Sequence, residues 1–210
     1  NSAAAVNLGT STFTFYGATY SGAALYASSN GLISLGSPLS GGANTNLIGT
    51  PVEPLIAPFW DDLRTDADSL DVVLARFDDL NGDQTPDRLV IEWSNLRHVG
   101  TNSNTATFQA ILGLNSGPTD GAIVFNYPDL DFGNAAWDNG ASATIGVKGP
   151  GTSAAKLLVS KDSPFHALVG TGKAVSIDRQ RPTAVFTPVS PDPSSTAVLS
   201  VDVAFSEPID

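Results

Sequence analysis

Five residues between positions 79 and 87 carry the strongest chemical signal in the chain. Asp79, Asn81, Asp83, Thr85 and Asp87 stand at positions one, three, five, seven and nine of one short segment, DLNGDQTPD. Carboxylates crowded into a single turn repel one another unless something positive joins them. Alternating oxygen donors on a curled backbone can converge on a cation, and calcium takes about 6–8 oxygens. Asp79, Asn81, Asp83 and Asp87 offer side-chain oxygens, and Thr85 offers its carbonyl. The competing reading is a solvated turn, because Asn-Gly-Asp and Thr-Pro-Asp are turn formers without any metal. The cation is preferred, in a role that fixes the turn and performs no chemistry.

Two strands must hold this loop. In residues 71–94, Val73, Ala75 and Phe77 alternate with Val72, Leu74 and Arg76, and Leu89, Ile91 and Trp93 alternate with Val90, Glu92 and Ser94. A period of two in β-branched and aromatic residues predicts a pleated pair. The same pattern predicts strands at 12–16, 105–113, 121–127, 142–147, 165–169 and 173–177, with a turn bracketed by Gly17 and Gly22. Residues 23–35 read as a hairpin around Asn30-Gly31, a pair suited to a type I′ turn. Residues 36–46 read as a surface loop. Pro51, Pro54 and Pro58 demote the apolar run 55–60 to an edge or irregular strand. No segment of helical length repeats apolar residues at the helical period. The expected fold is all-β: an antiparallel β-sandwich-like domain.

Catalytic signals are poor. Asp61 and Asp62, after Trp60, offer a carboxylate for glycoside hydrolysis, which needs a second acid across a cleft; a polar strand end is the preferred reading. Glu92 is expected to pair with an Arg such as Arg64 or Arg97 or to lie in solvent, and His98 and His166 to be packing or loop histidines. Gly170 to Lys173 imitates a phosphate loop but lacks the earlier Gly and the following Ser or Thr. Trp137, in the polar stretch FGNAAWDNGAS, is either displayed for sugar stacking or protein contact or folded back onto a sheet edge. The chain is expected not to be an enzyme.

Composition narrows the class. The 210 residues carry a formal net charge of −11, no Cys and no Met. That charge lacks a basic footprint for nucleic acid and is repelled by anionic membranes. Without Cys there are no disulfides, thiolate metal sites or thiol nucleophiles. No apolar run approaches the roughly 18 residues of a membrane helix. NSAAAVNLG is not a secretory signal, although one removed earlier is compatible with it. Near Asp178 the chain turns Pro- and Ser-rich, with strand patterns at 183–187 and 197–205. It stops just after Glu207-Pro208, so it is expected to end inside a second domain of a longer, modular protein.

The blocks FTFYG (13–17), LYASSNGLISLG (25–36), IAPFWDDL (56–63), RLVIEWSNL (88–96), ATFQAILG (106–113) and GAIVFNY (121–127) stand in an order that resembles nidogen-like (NIDO) extracellular domains. The resemblance covers roughly residues 10–150. It implies a non-catalytic module of surface and matrix proteins associated with cell–matrix adhesion, and it brings no catalytic residues. The acidic stretch 78–87 is not part of that pattern; it resembles the D-x-N-x-D loops of calcium-binding β-repeats and dockerins. Relative to the EF-hand loop, position six is Gln84 instead of Gly, and position twelve is Val90 instead of a bidentate Glu. A weak Ca2+ site is therefore expected, with a dissociation constant of ~10⁻⁴–10⁻³ M. The tail from Arg181, RPTAVFTPVSPDPSSTAVLSVDVAFSEPID, resembles the opening of a bacterial immunoglobulin-like repeat. The implied organisation is a nidogen-like domain over 1–178, a linker over 179–182 and a truncated Ig-like domain over 183–210. The implied location is extracellular, on a bacterial cell surface, with an extracellular protein or glycan as partner. The alternative is a carbohydrate-binding module of a secreted hydrolase, motivated by Trp137. The oligomeric state is not legible in the sequence.

Overall fold

The period-two alternation becomes two packed antiparallel sheets in a computed structural model that describes residues 1–100, 104–151, 156–177, 184–186 and 203–205. The chain divides into two compact units, Asn1–Ile177 and Asp178–Asp210. In the first unit one sheet runs, in spatial order, β1 (Ala3–Val6), β4 (Leu25–Ser28), β5 (Ile33–Leu35), β6 (Leu55–Trp60), β12 (Thr144–Lys148) and β13 (Lys156–Lys161). The other runs β14 (Lys173–Ile177), β11 (Ile123–Asp129), β10 (Ala106–Gly113) and β9 (Arg88–His98). Both β7 (Leu63–Arg64) and β8 (Val72–Asp78) pair with the far side of β9. A separate hairpin joins β2 (Thr12–Phe15) to β3 (Ala18–Ser21). Among the described residues there is no α-helix. In the second unit β15 (Ala184–Phe186) pairs antiparallel with β16 (Val203–Phe205).

The core lies between the two sheets. Ala106, Phe108, Ala110 and Leu112 point inward from β10, Ile123, Phe125 and Tyr127 from β11, and Leu89, Ile91 and Trp93 from β9. Trp93 stacks on Phe108 at 5.1 Å between centroids; Phe108 meets Phe59 of the opposite sheet at 5.2 Å, and Phe59 meets Phe132 at 5.7 Å. Each fully buried Phe contributes about 1.5–3 kcal/mol by leaving water, and its ring geometry adds about 0.5–1.5 kcal/mol. Two polar tips tie the sheets together. Trp93 Nε1 donates to the Ser28 carbonyl at 2.7 Å, and the Tyr127 hydroxyl donates to the Pro58 carbonyl at 2.9 Å. Burial pushes the Tyr127 phenol far above its ordinary pKa, so the hydroxyl keeps its proton.

Several local expectations need correction. The 55–60 segment is the fully buried centre of the first sheet, not an edge. Pro58 is tolerated there because the β6–β12 register shifts between Thr144 and Gly146, opposite the proline, so no ladder hydrogen bond is asked of its missing N–H. Residues 36–46 are the surface loop expected, without strand or helix. With Leu47 they fold over the outer side of the first sheet, where Leu32, Leu47, Leu55, Ala57 and Trp60 form a second small core and Trp60 Nε1 donates to the Gly41 carbonyl at 2.8 Å. The β4–β5 hairpin exists, but only Gly31 adopts a positive φ, so its turn is not type I′. A Cβ on Gly31 would stand 1.8 Å from the Phe59 carbonyl oxygen, so the close approach of β6 dictates glycine there. Residues 165–169 form turns, not a strand. The residues between Gly17 and Gly22 form β3, so the tight turn is Tyr16-Gly17, both with positive φ. Strands β1 and β13 had no period-two signal strong enough to predict them.

Glu92 pairs with neither Arg64 nor Arg97. Those arginines engage Asp66 and Asp71. Glu92 instead accepts from Gln109 Nε2 at 2.6 Å, and Gln109 Oε1 accepts from Asn126 Nδ2 at 2.8 Å, a polar row across β9, β10 and β11 on the outer face of the second sheet.

Replacing Tyr127 by Phe leaves the buried Pro58 carbonyl without its donor. Urea unfolding is expected to show a loss of about 1–3 kcal/mol with an unchanged slope; a loss within error would mean that the carbonyl finds another partner.

Candidate functional site

The acidic loop joins β8 to β9. These strands pair from Val72 opposite Ser94 to Asp78 opposite Arg88, and the Asp87 amide donates to the Asp78 carbonyl at 2.9 Å to close the turn. All five predicted residues therefore occupy one loop. Asp79 receives the amides of Gly82 at 2.7 Å and Gln84 at 2.8 Å, which curls the backbone around it. Gly82 and Gln84 both take positive φ. Asp83 Oδ1 accepts from the Thr85 amide at 2.8 Å, and Asp87 Oδ2 from the Leu80 amide at 2.6 Å. Asn81 sits between carboxylates: its Nδ2 donates to Asp83 at 3.2 Å and to Asp87 at 3.3 Å. The amide's positive end partly neutralises the repulsion there. Desolvation works against ionisation of Asp79, but the amides of Gln84, Gly82 and Asn81 outweigh it and hold its carboxyl below the usual range. Asp78, at the loop's base, is held low chiefly by its hydrogen bond from Arg88, with Arg76 also paired to it. Thr85 presents no side-chain contact in this network. Among the described residues no group of three or more His, Cys, Asp or Glu is arranged to hold a metal ion.

A second polar cluster, buried, sits at one end of the sandwich. Asp61 follows β6 and His98 ends β9, so the pair bridges the two sheets. His98 Nε2 lies 3.3 Å from Asp61 Oδ1, and Nδ1 lies 2.6 Å from the Val99 carbonyl oxygen. Both neighbours are acceptors, so the protonated ring, with an N–H on each nitrogen, satisfies both contacts at once. Asp61 also takes the Ser142 hydroxyl at 2.5 Å and the Asp62 amide at 2.9 Å. Trp137 lies flat on the His98 ring at 4.5 Å, half-buried and packed against the core, so it is folded back and not displayed. Burial opposes charging of His98, but the Asp61 carboxylate prevails and its pKa is raised. Ser142 had no signal in the sequence, being 81 residues from its partner. The Asp61 carboxylate is engaged on both oxygens, and the serine bonds to the acid, not to the imidazole.

Of the other singled-out residues, His166 and the 170–173 segment stay apart from both clusters, whereas Asp62 adjoins the second, its amide donating to Asp61 Oδ1 at 2.9 Å and its charge acting on His98. His166 and Gly170 to Lys173 line an open cleft with Asp129, Asp138 and Asn139. Asp62 packs beside Gly42.

The model of a family described as NIDO related matches residues 1–188. No curated protein and no solved structure matches the chain.

Because the folded His98 binds its proton more tightly than an ordinary histidine, the Asp61–His98 contribution is complete below the unfolded pKa near ~6.5 and is lost as pH rises through the higher folded value. Urea midpoints measured from pH 5 to 9 are expected to fall across that window, and Asp61→Asn to flatten the fall. A midpoint that rises with pH through that window in the wild type and not in Asp61→Asn would contradict the pairing.

Proposed function

The chain belongs to the NIDO-related family, and on that premise we propose that it is a non-catalytic extracellular interaction module of a modular surface protein, with its acidic loop stiffened by calcium. The observation that carries the proposal is the family match over residues 1–188, joined to a sandwich whose buried acid and imidazole are spent on each other. Asp61, one of the two acids put forward for glycoside hydrolysis, is 5% exposed and hydrogen-bonded on both oxygens. The carbohydrate-binding alternative loses its original motive, since Trp137 gives one ring face to His98. The pairing of β15 with β16 supports the reading of the tail as the opening of an Ig-like repeat, most of which lies outside the described residues. Binding of immobilised extracellular-matrix proteins by the chain tests the module reading; no retention on any of them, with no glycan bound either, would sink it.

Calcium would bring a full positive charge to a loop whose carboxylates are held by backbone amides and the Asn81 side chain. Asp79, Asp83, Asp87, Asn81 and the Thr85 carbonyl are hard oxygen donors of the kind calcium takes, and Asp79 is already held ionised by backbone amides. A melting curve tests this. At a calcium concentration ten times the dissociation constant the gain is about 1.4 kcal/mol, visible as a rise in Tm that a chelator reverses. Asp83→Ala is expected to abolish the rise without lowering the metal-free Tm appreciably. An identical curve with and without 10 mM calcium, about ten times the weakest expected constant, removes calcium from the proposal.

A further inference from the structure

We propose that the open cleft beside Phe165 binds a neutral glycan, with the Phe165 ring as the platform for a pyranose face. The inference rests on the reading of the chain as a non-catalytic interaction module and names a ligand class for it. The cleft encloses about 660 Å³, within the roughly 300–1,000 Å³ usual for small-ligand sites. At its mouth Phe165 is 95% exposed, the most exposed large apolar side chain among the described residues.

Facing this aromatic are polar groups held in place by the backbone. Asp138 Oδ1 accepts from the amides of Phe132 at 2.7 Å and Asn134 at 3.3 Å. Asp129 Oδ1 accepts from the Asp131 amide at 2.9 Å and the Thr171 hydroxyl at 3.4 Å. Among the described residues, the second oxygen of each carboxylate receives no donor. Asn139 Oδ1 accepts the Thr171 amide at 3.2 Å, which leaves the Asn139 N–H groups to donate. His166 Nδ1 accepts the Leu168 amide at 3.3 Å, which puts the ring proton on Nε2 as a further donor. The cleft thus presents fixed acceptors, fixed donors and one apolar face. A pyranose is built to match: hydroxyls that both donate and accept around its edge, and C–H groups across one face. Charge selects within the class. The carboxylates oppose sialylated or uronate sugars. Lys173, whose Nζ donates to the Ala167 carbonyl at 2.7 Å in the same cleft, offsets only one of the three lining carboxylates, Asp129, Asp131 and Asp138, so a basic ligand is the competing occupant that the test must separate.

The test uses the whole chain against neutral gluco-, manno- and galacto-oligosaccharides, a sialylated and a uronate oligosaccharide, and a Lys/Arg-rich peptide. Saturation-transfer and chemical-shift NMR read out binding, and chromatography reads out any cleavage. The expected result is binding of at least one neutral oligosaccharide, with shifts confined to residues 129–139 and 164–173. Phe165→Ala is expected to weaken binding about tenfold or more, and Phe165→Trp to keep it. The melting curve of each variant should match the parent, since Phe165 is 95% exposed. Three results would overturn the assignment: no neutral glycan bound at millimolar concentration, shifts on another surface, or preference for the basic peptide or the acidic sugars. Failure on glycans leaves the module reading to be decided by matrix-protein binding. Cleavage of a bound oligosaccharide would support the ligand class and sink the non-catalytic reading.

Discussion

The sandwich depends on one constraint: two sheets with apolar inner faces must be held in a single relative position, and dispersion alone is poorly directional. Trp93 and Tyr127 supply the direction. Each is buried as an aromatic and yet sends one polar atom across the interface to a backbone carbonyl of the opposite sheet. A buried carbonyl that loses its donor pays the full cost of desolvation, so each bond is stronger as a locator than as a source of net stability. The chain Trp93–Phe108–Phe59–Phe132 fills the space between the two bonds. Gly31 belongs to the same constraint, since only a residue without Cβ lets β6 come close enough for Phe59 to enter the chain of rings.

Polar chemistry is sorted around this frame by depth. At the buried end of the sandwich, Asp61, His98 and Ser142 satisfy one another, and Trp137 seals them. In the exposed loop after β8, carboxylates are held by backbone amides and one asparagine, with charge left uncompensated. Around Phe165 the acids and amides are anchored on one side only. Burial leaves the first group engaged within itself. Exposure leaves the other two open to a cation and to a polar ligand respectively.

Much of this was legible from alternation. Residues 106–112 and 123–127 have clean period-two patterns because both sides of those strands meet constant environments, core and solvent, and the structure buries every second residue as expected. The failures have physical causes. The prolines of 51–58 suggest an edge because a ladder hydrogen bond is lost at each, but a register shift in the adjacent strand β12, at Thr144–Gly146 and far away in sequence, absorbs the loss at Pro58. Of the sites, the acidic loop could be read because its residues are neighbours in sequence. The Asp61–Ser142 contact and the setting of Phe165 could not, because they are assembled by folding from distant segments; 165–169 was even expected to be a strand.

The row Glu92–Gln109–Asn126 has a consequence for how the second sheet finds its alignment. Side chains in a pleated sheet change face with every single-residue displacement, so sliding β10 by one position against either neighbour would bury Gln109 and expel Phe108. The row adds a penalty on the outside to the one inside: the same slip parts two side-chain hydrogen bonds at once, because Gln109 serves both neighbours with the two ends of one amide. A single glutamine thus works like a dowel through three planks, discouraging slippage from the wet side while the aromatic residues discourage it from the dry one.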